Sequence, residues 1–281
     1  MERVGKTLLQ LYTEAKTMSI KSVLMIGIQV LTALEEIHIQ GIVHNDLKPD
    51  NIATGLRTNT GELYLLDFGL SSEWMHRNIP MQYREAWEFQ GSPFFASENT
   101  LRGIRPSRRD DLESLGYILL FFQMGTLPWL DVRFAGPKDL PTMLKARSRS
   151  ASFLQVAHPL FSAYFACVKD LAFHENPNYL FLRSLFERAL EQEALSCDWV
   201  YDWSQPEVRK PPKVHSNSLS RNMSLLSSNN SNPSPGAKIN RLRRNSDLCL
   251  GNLSTPTHAP ALDGTRLRRF SQCAEGEKPR G

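Results

Sequence analysis

The sequence predicts an α+β fold that is mostly α. It should form one α-rich lobe with a few short strands over residues 1–203, followed by a disordered tail over 204–281. Three observations carry this expectation. Val23, Leu24, Ile26, Ile28, Val30, Leu31, Leu34 and Ile37 recur on a broad helical face. Leu112 to Met124 is apolar enough to be a central buried helix. After Trp203 apolar runs nearly vanish, and Ser, Asn, Pro and Arg take over. The tail holds 13 Lys/Arg against 5 Asp/Glu, a net of +8; the whole chain is +4, which leaves −4 for residues 1–203. A basic stretch so poor in apolar residues cannot bury enough surface to offset its ordering entropy.

The elements follow in order. Residues 6–14 read as a short helix. Ser19 is a plausible N-cap for the next helix, which Gly41 ends. Thr58-Asn59-Thr60-Gly61 reads as a tight turn between short strands, the second being Leu63-Tyr64-Leu65-Leu66. The prolines and glycine between 130 and 150 predict a loop with at most one helical turn. Residues 152–173 and 178–193 read as two further helices, the second with Leu180, Leu182, Leu185, Phe186 and Leu190 on its buried side.

Composition also narrows function. Cys167, Cys197, Cys249 and Cys273 lack the C-x-x-C spacing of a zinc site and suggest no disulfide framework. The seven histidines show no ligand spacing. No signal peptide is recognisable, and no uninterrupted apolar run approaches about 18 residues. An intracellular location, cytoplasmic or nuclear, is therefore expected, without membrane association.

The chemistry is concentrated in Ile42-Val43-His44-Asn45-Asp46-Leu47-Lys48-Pro49-Asp50-Asn51, followed by Leu65-Leu66-Asp67-Phe68-Gly69. Phosphoryl transfer needs a carboxylate to orient the attacking hydroxyl, a cation for the moving phosphate, and oxygen ligands for Mg²⁺. An H-x-D-x-K-P-x-N loop followed by D-F-G supplies these groups in that order. Asp46 would take the hydroxyl proton, Lys48 would steady the γ-phosphate of ATP, and Asn51 and Asp67 would hold Mg²⁺. The bland alternative is that Asp and Asn are turn formers, but it does not account for both motifs at this spacing.

The chain resembles the casein kinase 1 family of Ser/Thr protein kinases. The likeness spans roughly residues 1–203 and rests on family-specific segments: Ser107-Arg108-Arg109-Asp110-Asp111-Leu112-Glu113-Ser114-Leu115-Gly116-Tyr117, Gly125-Thr126-Leu127-Pro128-Trp129, Ser97-Glu98-Asn99-Thr100 and Asp198-Trp199-Val200-Tyr201-Asp202-Trp203. The resemblance implies the large lobe of a two-lobed kinase that uses ATP and Mg²⁺ on protein substrates. Met1-Glu2-Arg3-Val4-Gly5 resembles the segment just past the hinge. Residues 1–43 contain no G-x-G-x-x-G and no V-A-I-K-like strand, so the chain reads as a large lobe plus tail. A truncated gene model, an internal start and a fragment all remain open. Transfer by residues 1–281 alone is expected to be weak, and a non-catalytic binding or regulatory protein is the competing reading.

The resemblance implies further roles. The hydroxyl of Ser92 would touch both Asp46 and Lys48. Ala53 would floor the adenine pocket and Leu66 would line it, with core packing an equal reading of both. Asp111 would hydrogen-bond the catalytic-loop backbone. There are also departures. Asn45 replaces the arginine that commonly grips an activation-segment phosphate. Phe94 replaces an arginine that helps read phosphate-primed substrates, and a phenyl ring cannot supply charge-assisted hydrogen bonds. In the tail, Ser246 and Ser271 each follow an Arg-Arg pair, in Arg-Leu-Arg-Arg-Asn-Ser and Arg-Leu-Arg-Arg-Phe-Ser. Both are candidate phosphosites for basophilic kinases, and a phosphoserine-reading adaptor is the expected partner there. Nucleic-acid binding is the weaker reading, since arginines without interleaved aromatics give only salt-sensitive backbone attraction.

Overall fold

The computed structural model describes residues 4–56, 59–150 and 152–204. The expected tail, with Ser246, Ser271 and the adaptor they would recruit, lies outside the described residues, as does part of the turn at Thr58.

The lobe is built on α2 (Ile20–Ile39). Its N-cap is Ser19, whose hydroxyl accepts from the Ser22 amide, satisfying one of the donors every helix start leaves open. Val23, Leu24, Met25, Ile26, Leu31 and Leu34 are wholly buried. By length and composition α2 could cross a membrane; here its apolar faces are covered by two other helices, α4 (Arg108–Met124) and α8 (Tyr179–Gln192). Close approach depends on two glycines. A Cβ on Gly27 would lie 2.5 Å from the ring of Phe186 in α8, and one on Gly116 of α4 would lie 2.7 Å from Phe165 in α7 (Pro159–Asp170).

Three two-stranded antiparallel ribbons cover one end. β1 (Ile42–Val43) pairs with β4 (Ser72–Glu73), β2 (Ile52–Thr54) with β3 (Leu63–Leu65), and β5 (Met75–His76) with β6 (Ile79–Pro80). The chain ahead of α1 (Leu8–Ala15) lies along β2: Gly5 N–H donates to Thr54 O at 2.7 Å, and Thr54 N–H to Lys6 O at 3.0 Å. Asp202 accepts from both the amide and the hydroxyl of Ser19, at 2.8 and 2.7 Å. The indole of Trp203 donates to Thr60 O at 3.0 Å. The Asp198–Trp203 segment thereby seals the start of α2 and the β2–β3 turn.

Three expectations are corrected. Residues 140–148 form a regular helix, α5 (Leu140–Ser148), after a 3-10 turn at Pro137–Asp139. Pro141 sits in the first turn of α5, where its missing N–H costs nothing. The expected helix over 152–173 is two, α6 (Phe153–Val156) and α7, because Pro159 starts a new helix after an extended Ala157. Leu180 is 73% exposed; the buried face of α8 is Tyr179, Leu182, Phe186, Ala189 and Leu190. The short α3 (Glu98–Leu101) precedes α4.

At the start of α4, Asp110 accepts from the Ser97 hydroxyl at 2.5 Å and from the Ser107 amide at 2.7 Å. Burial pushes its carboxyl up to about 6, against those hydrogen bonds and with help from the charge of Glu113.

Two outcomes are expected. Gly→Ala in an exposed helix gains about 1 kcal/mol. At Gly27 the overpacking against Phe186 should cost about 1–3 kcal/mol, so Gly27→Ala should lower the urea midpoint and Gly27→Val should lower it further. A raised midpoint would show that the ring yields freely. For Asp110, the folded state retains the carboxyl proton between about pH 4 and 6 while the unfolded state has lost it. Unfolding free energy attributable to this group should therefore fall as pH rises through that window, by on the order of 2–3 kcal/mol. Chemical denaturation of wild type and Asp110→Asn should diverge across that range, and parallel curves would refute the assignment.

Candidate active site

The loop between β1 and β2 is held from below by one carboxylate. Asp111, 1% exposed in the first turn of α4, accepts from the His44 amide through Oδ2 at 2.7 Å and from the Asn45 amide through Oδ1 at 2.9 Å. Oδ2 also receives Nε2–H of His38 at 2.9 Å, and Nδ1 of His38 accepts from the Tyr179 hydroxyl at 2.5 Å. The carboxylate is an acceptor only, which fixes this tautomer. Burial pushes the Tyr179 hydroxyl well above the ordinary phenol range, so it acts as a donor to His38. Loop, α2, α4 and α8 are thus joined by one buried hydrogen-bonded chain. The imidazole of His44 continues it upward, donating through Nε2 to Leu66 O at 2.9 Å and packing on Phe68 with ring centroids 5.0 Å apart.

Asp46 sits on this platform and is 6% exposed. Its Oδ2 accepts from Lys48 Nζ at 2.5 Å and from Asn51 Nδ2 at 3.2 Å. Asn51 Nδ2 also donates to Asp46 O at 2.8 Å. With its amide nitrogen so used, the amide oxygen of Asn51 is left as an acceptor. Asp46 Oδ1 accepts from the backbone amide of Ser92 at 3.0 Å. The expected contact of the Ser92 hydroxyl with Asp46 and Lys48 is therefore corrected. The peptide N–H makes the link to Asp46, and Lys48 reaches Asp46 by itself. Gly91 makes the approach possible, with φ +95° and a hypothetical Cβ only 3.0 Å from Asp46 Oδ1.

Asp67 follows β3 with φ +60°, a left-handed conformation that Asp tolerates better than most residues. Its Oδ1 accepts from the Gly69 amide at 3.2 Å, and the residue is exposed. Among the described residues no group of three His, Cys, Asp or Glu side chains could hold a metal by itself. A carboxylate and an amide oxygen nevertheless match the hard-oxygen preference of Mg²⁺, which is normally held by one or two carboxylates plus substrate phosphates. The donor set fits that ion and suits neither zinc nor another soft metal.

Leu66 is half-buried, as a pocket-lining residue must be. Ala53 is not: it is 0% exposed, bridged to Thr7, beneath the segment that runs along β2. Its assignment to the adenine floor is corrected to core packing. Asn45, with φ +66°, donates from Nδ2 to Leu70 O at 2.8 Å and to Ser72 Oγ at 2.9 Å. It ties the loop directly to the chain beyond Asp67-Phe68-Gly69. Sequence reasoning missed His38 and Tyr179, which carry no motif, and Arg147, which lay in the stretch read as a loop.

In comparison with known families, the protein kinase domain family model matches residues 1–151, more than half of the chain. That span takes in α2, the catalytic loop, Asp67-Phe68-Gly69 and α4, while α7, α8 and the Asp198–Trp203 closure lie beyond it. A protein kinase domain implies use of ATP, typically with Mg²⁺. With its mostly helical architecture, its few short ribbons and the motif residues gathered around Asp46, the chain belongs to the protein kinase family and has the fold of that family's large lobe.

Proposed function

We propose that this chain is a Ser/Thr protein kinase of the casein kinase 1 group. Asp46 orients a protein Ser or Thr hydroxyl and accepts its proton, and Lys48 places a positive charge beside the transferred phosphate. The observation that carries the reading is the set of donors converging on one buried carboxylate: Lys48 and Asn51 on Oδ2, the Ser92 amide on Oδ1. A carboxylate so restrained cannot swing away, and phosphoryl transfer depends almost entirely on positioning and charge. Asn51 and Asp67 would hold Mg²⁺, whose charge, when bound, offsets that of the phosphates. Leu66 lines the nucleotide side. Support for the casein kinase 1 group comes from the Ser107–Tyr117 and Gly125–Trp129 segments, and for Ser/Thr acceptors from the Gly91-Ser92 turn against Asp46. An intracellular location, protein substrates and an adaptor reading phosphorylated Ser246 or Ser271 complete the proposal.

Because transfer by residues 1–281 alone is expected to be weak, the test joins the chain to a protein kinase small lobe and supplies ³²P-labelled ATP, Mg²⁺ and a mixed acceptor protein, followed by phosphoamino-acid analysis. Label should appear on serine and threonine and be absent from tyrosine. Asp46→Asn and Asp67→Asn should each reduce transfer by at least about 100-fold, the lower end of what general acid–base groups contribute. Calorimetry separates their roles: Asp67→Asn should weaken Mg·ATP binding, and Asp46→Asn should leave it nearly unchanged. Equal nucleotide affinity in both variants would contradict the assignment.

Activity should not require a phosphate on the activation segment. Where such a phosphate is used, an arginine in the catalytic loop grips it. Here Asn45 spends both amide hydrogens on Leu70 and Ser72, and its buried Oδ1 has no donor. An anion placed there would face a carbonyl oxygen. Phosphatase treatment of the purified chain should leave its transfer rate unchanged; a collapse would mean that another cation grips a phosphate, with Arg77 and Arg84 the first to examine.

A further inference from the structure

The segment that begins at Ser92 is gripped from the side opposite Asp46. Arg147, near the end of α5, is only 5% exposed. Its guanidinium donates to three backbone carbonyls of one segment: to Ala96 O through Nη1, and to Pro93 O at 2.7 Å and Phe94 O at 3.0 Å through Nη2. The same group lies 4.6 Å from the ring centroid of Tyr117 and 4.9 Å from that of Trp129. The indole of Trp129 adds a second donor to Phe94 O at 2.8 Å. Among the described residues no carboxylate comes within ion-pair distance of Arg147. Its charge is met by peptide dipoles and ring faces, with Glu113 and Glu98 acting from farther away. Burial pulls its pKa down from the ordinary arginine value, but a guanidinium stays protonated in proteins.

A buried cation without a carboxylate is costly unless its hydrogens are used. Here the Nη hydrogens are aimed at the carbonyls following the residue whose amide meets Asp46, while the buried Nε has no hydrogen-bond partner among the described residues. Glu113 secures the far end of the segment, accepting from the Glu98 amide at 3.1 Å and the Tyr117 hydroxyl at 2.6 Å. The run from 92 to 98 is therefore strung between Asp46, Arg147 and Glu113. None of these ties is a regular secondary-structure bond.

We propose that Arg147 is a positioning residue: it sets the backbone of residues 93–96 and thereby the placement of the Ser92 amide on Asp46, beside which the acceptor peptide would lie. This rests on the kinase reading of Asp46. Only the planar fork of arginine can reach three carbonyls while stacking on two rings, so lysine should not substitute. A conformational change in α5 would reach the Ser92 contact with Asp46 through this one side chain.

The experiment is amide hydrogen exchange on the full chain, with Arg147→Lys, Arg147→Gln and the control Arg149→Gln, the last altering an exposed arginine of the same helix end. Both Arg147 variants should speed exchange at Ser92, Glu98 and Thr100 at least 10-fold and leave the α2 amides within 2-fold of wild type. Arg149→Gln should change neither. In peptide phosphorylation the Arg147 variants should raise KM for peptide at least 10-fold with KM for ATP within 2-fold. Acceleration spread equally over α2 would show that Arg147 is ordinary core. Unchanged exchange at all three amides, or full function in Arg147→Lys, would overturn the proposal. Peptide phosphorylation is read with a protein kinase small lobe joined to the chain; absence of transfer there by wild type would count against the kinase reading alone, while the exchange pattern on residues 1–281 would still decide the role of Arg147.

Discussion

The structure depends on the carboxylate of Asp111. It is buried, and by itself such a charge would be excluded from a protein interior. Three donors make it tolerable: two successive loop amides and one imidazole. The dependence runs both ways. The amides of His44 and Asn45 leave β1 with no ladder partner in reach, and unsatisfied buried N–H groups cost about as much as lost hydrogen bonds. The loop can therefore take its shape only where α4 delivers an acceptor. That in turn requires α4 to lie against α2, which Leu112, Leu115 and the α2 core provide, and it requires the chain to turn sharply at Asn45, whose φ is +66°. Packing and polarity are not separable contributions here. The apolar helix interface exists at the one height that brings Asp111 beneath the loop.

Above that anchor, charge is arranged in layers. Asp111 is saturated and faces inward. Asp46, one step up, keeps both oxygens bonded but lies within reach of Lys48, a side chain with solvent on its far side. Asp67 is exposed and, among the described residues, has only the Gly69 amide as a neighbour donor. The three aspartates thus run from fully committed to nearly free, the gradient needed if the first shapes the site, the second handles a proton and the third meets a metal. Residue type alone does not distinguish them; burial and the number of donors do.

Legibility followed the same gradient. Elements defined by long apolar periodicity were readable: α2, with Ser19 as cap, and the body of α4. Residues in the contiguous motifs were nameable because phosphoryl transfer constrains which groups stand together, and Lys48 and Asn51 do meet on Asp46. What could not be read was either short-range geometry or long-range pairing. Ser92 was expected to use its hydroxyl, yet the left-handed turn at Gly91 brings the amide forward, and backbone orientation is not written in side-chain identity. Ala53 was assigned by its offset from Asn51, which says nothing of the chain lying over β2. Pro141 was read as a breaker and Pro159 was passed over inside one expected helix, whereas each stands in the first turn of a helix, a position-dependent effect that composition conceals. His38 and Tyr179 are 141 residues apart, and neither sits in a pattern that forecasts their meeting.

Hydrogen bonds to neutral oxygens, in place of ion pairs, give the site its particular character. Where a catalytic-loop arginine would wait for a phosphate, Asn45 joins Leu70 and Ser72 without any added group. Where the segment after Ser92 might be pinned by an ion pair, Arg147 holds carbonyls and stacks on rings. Both substitutions replace long-range, salt-sensitive attraction with short hydrogen bonds that are either made or broken. A site so built has fewer intermediate states. Its geometry is set by whether α4 and α5 are seated, and less by ionic strength or by the phosphorylation of neighbouring residues. Control of such a site would have to act on helix seating, and in α5 that seating passes through a single buried guanidinium.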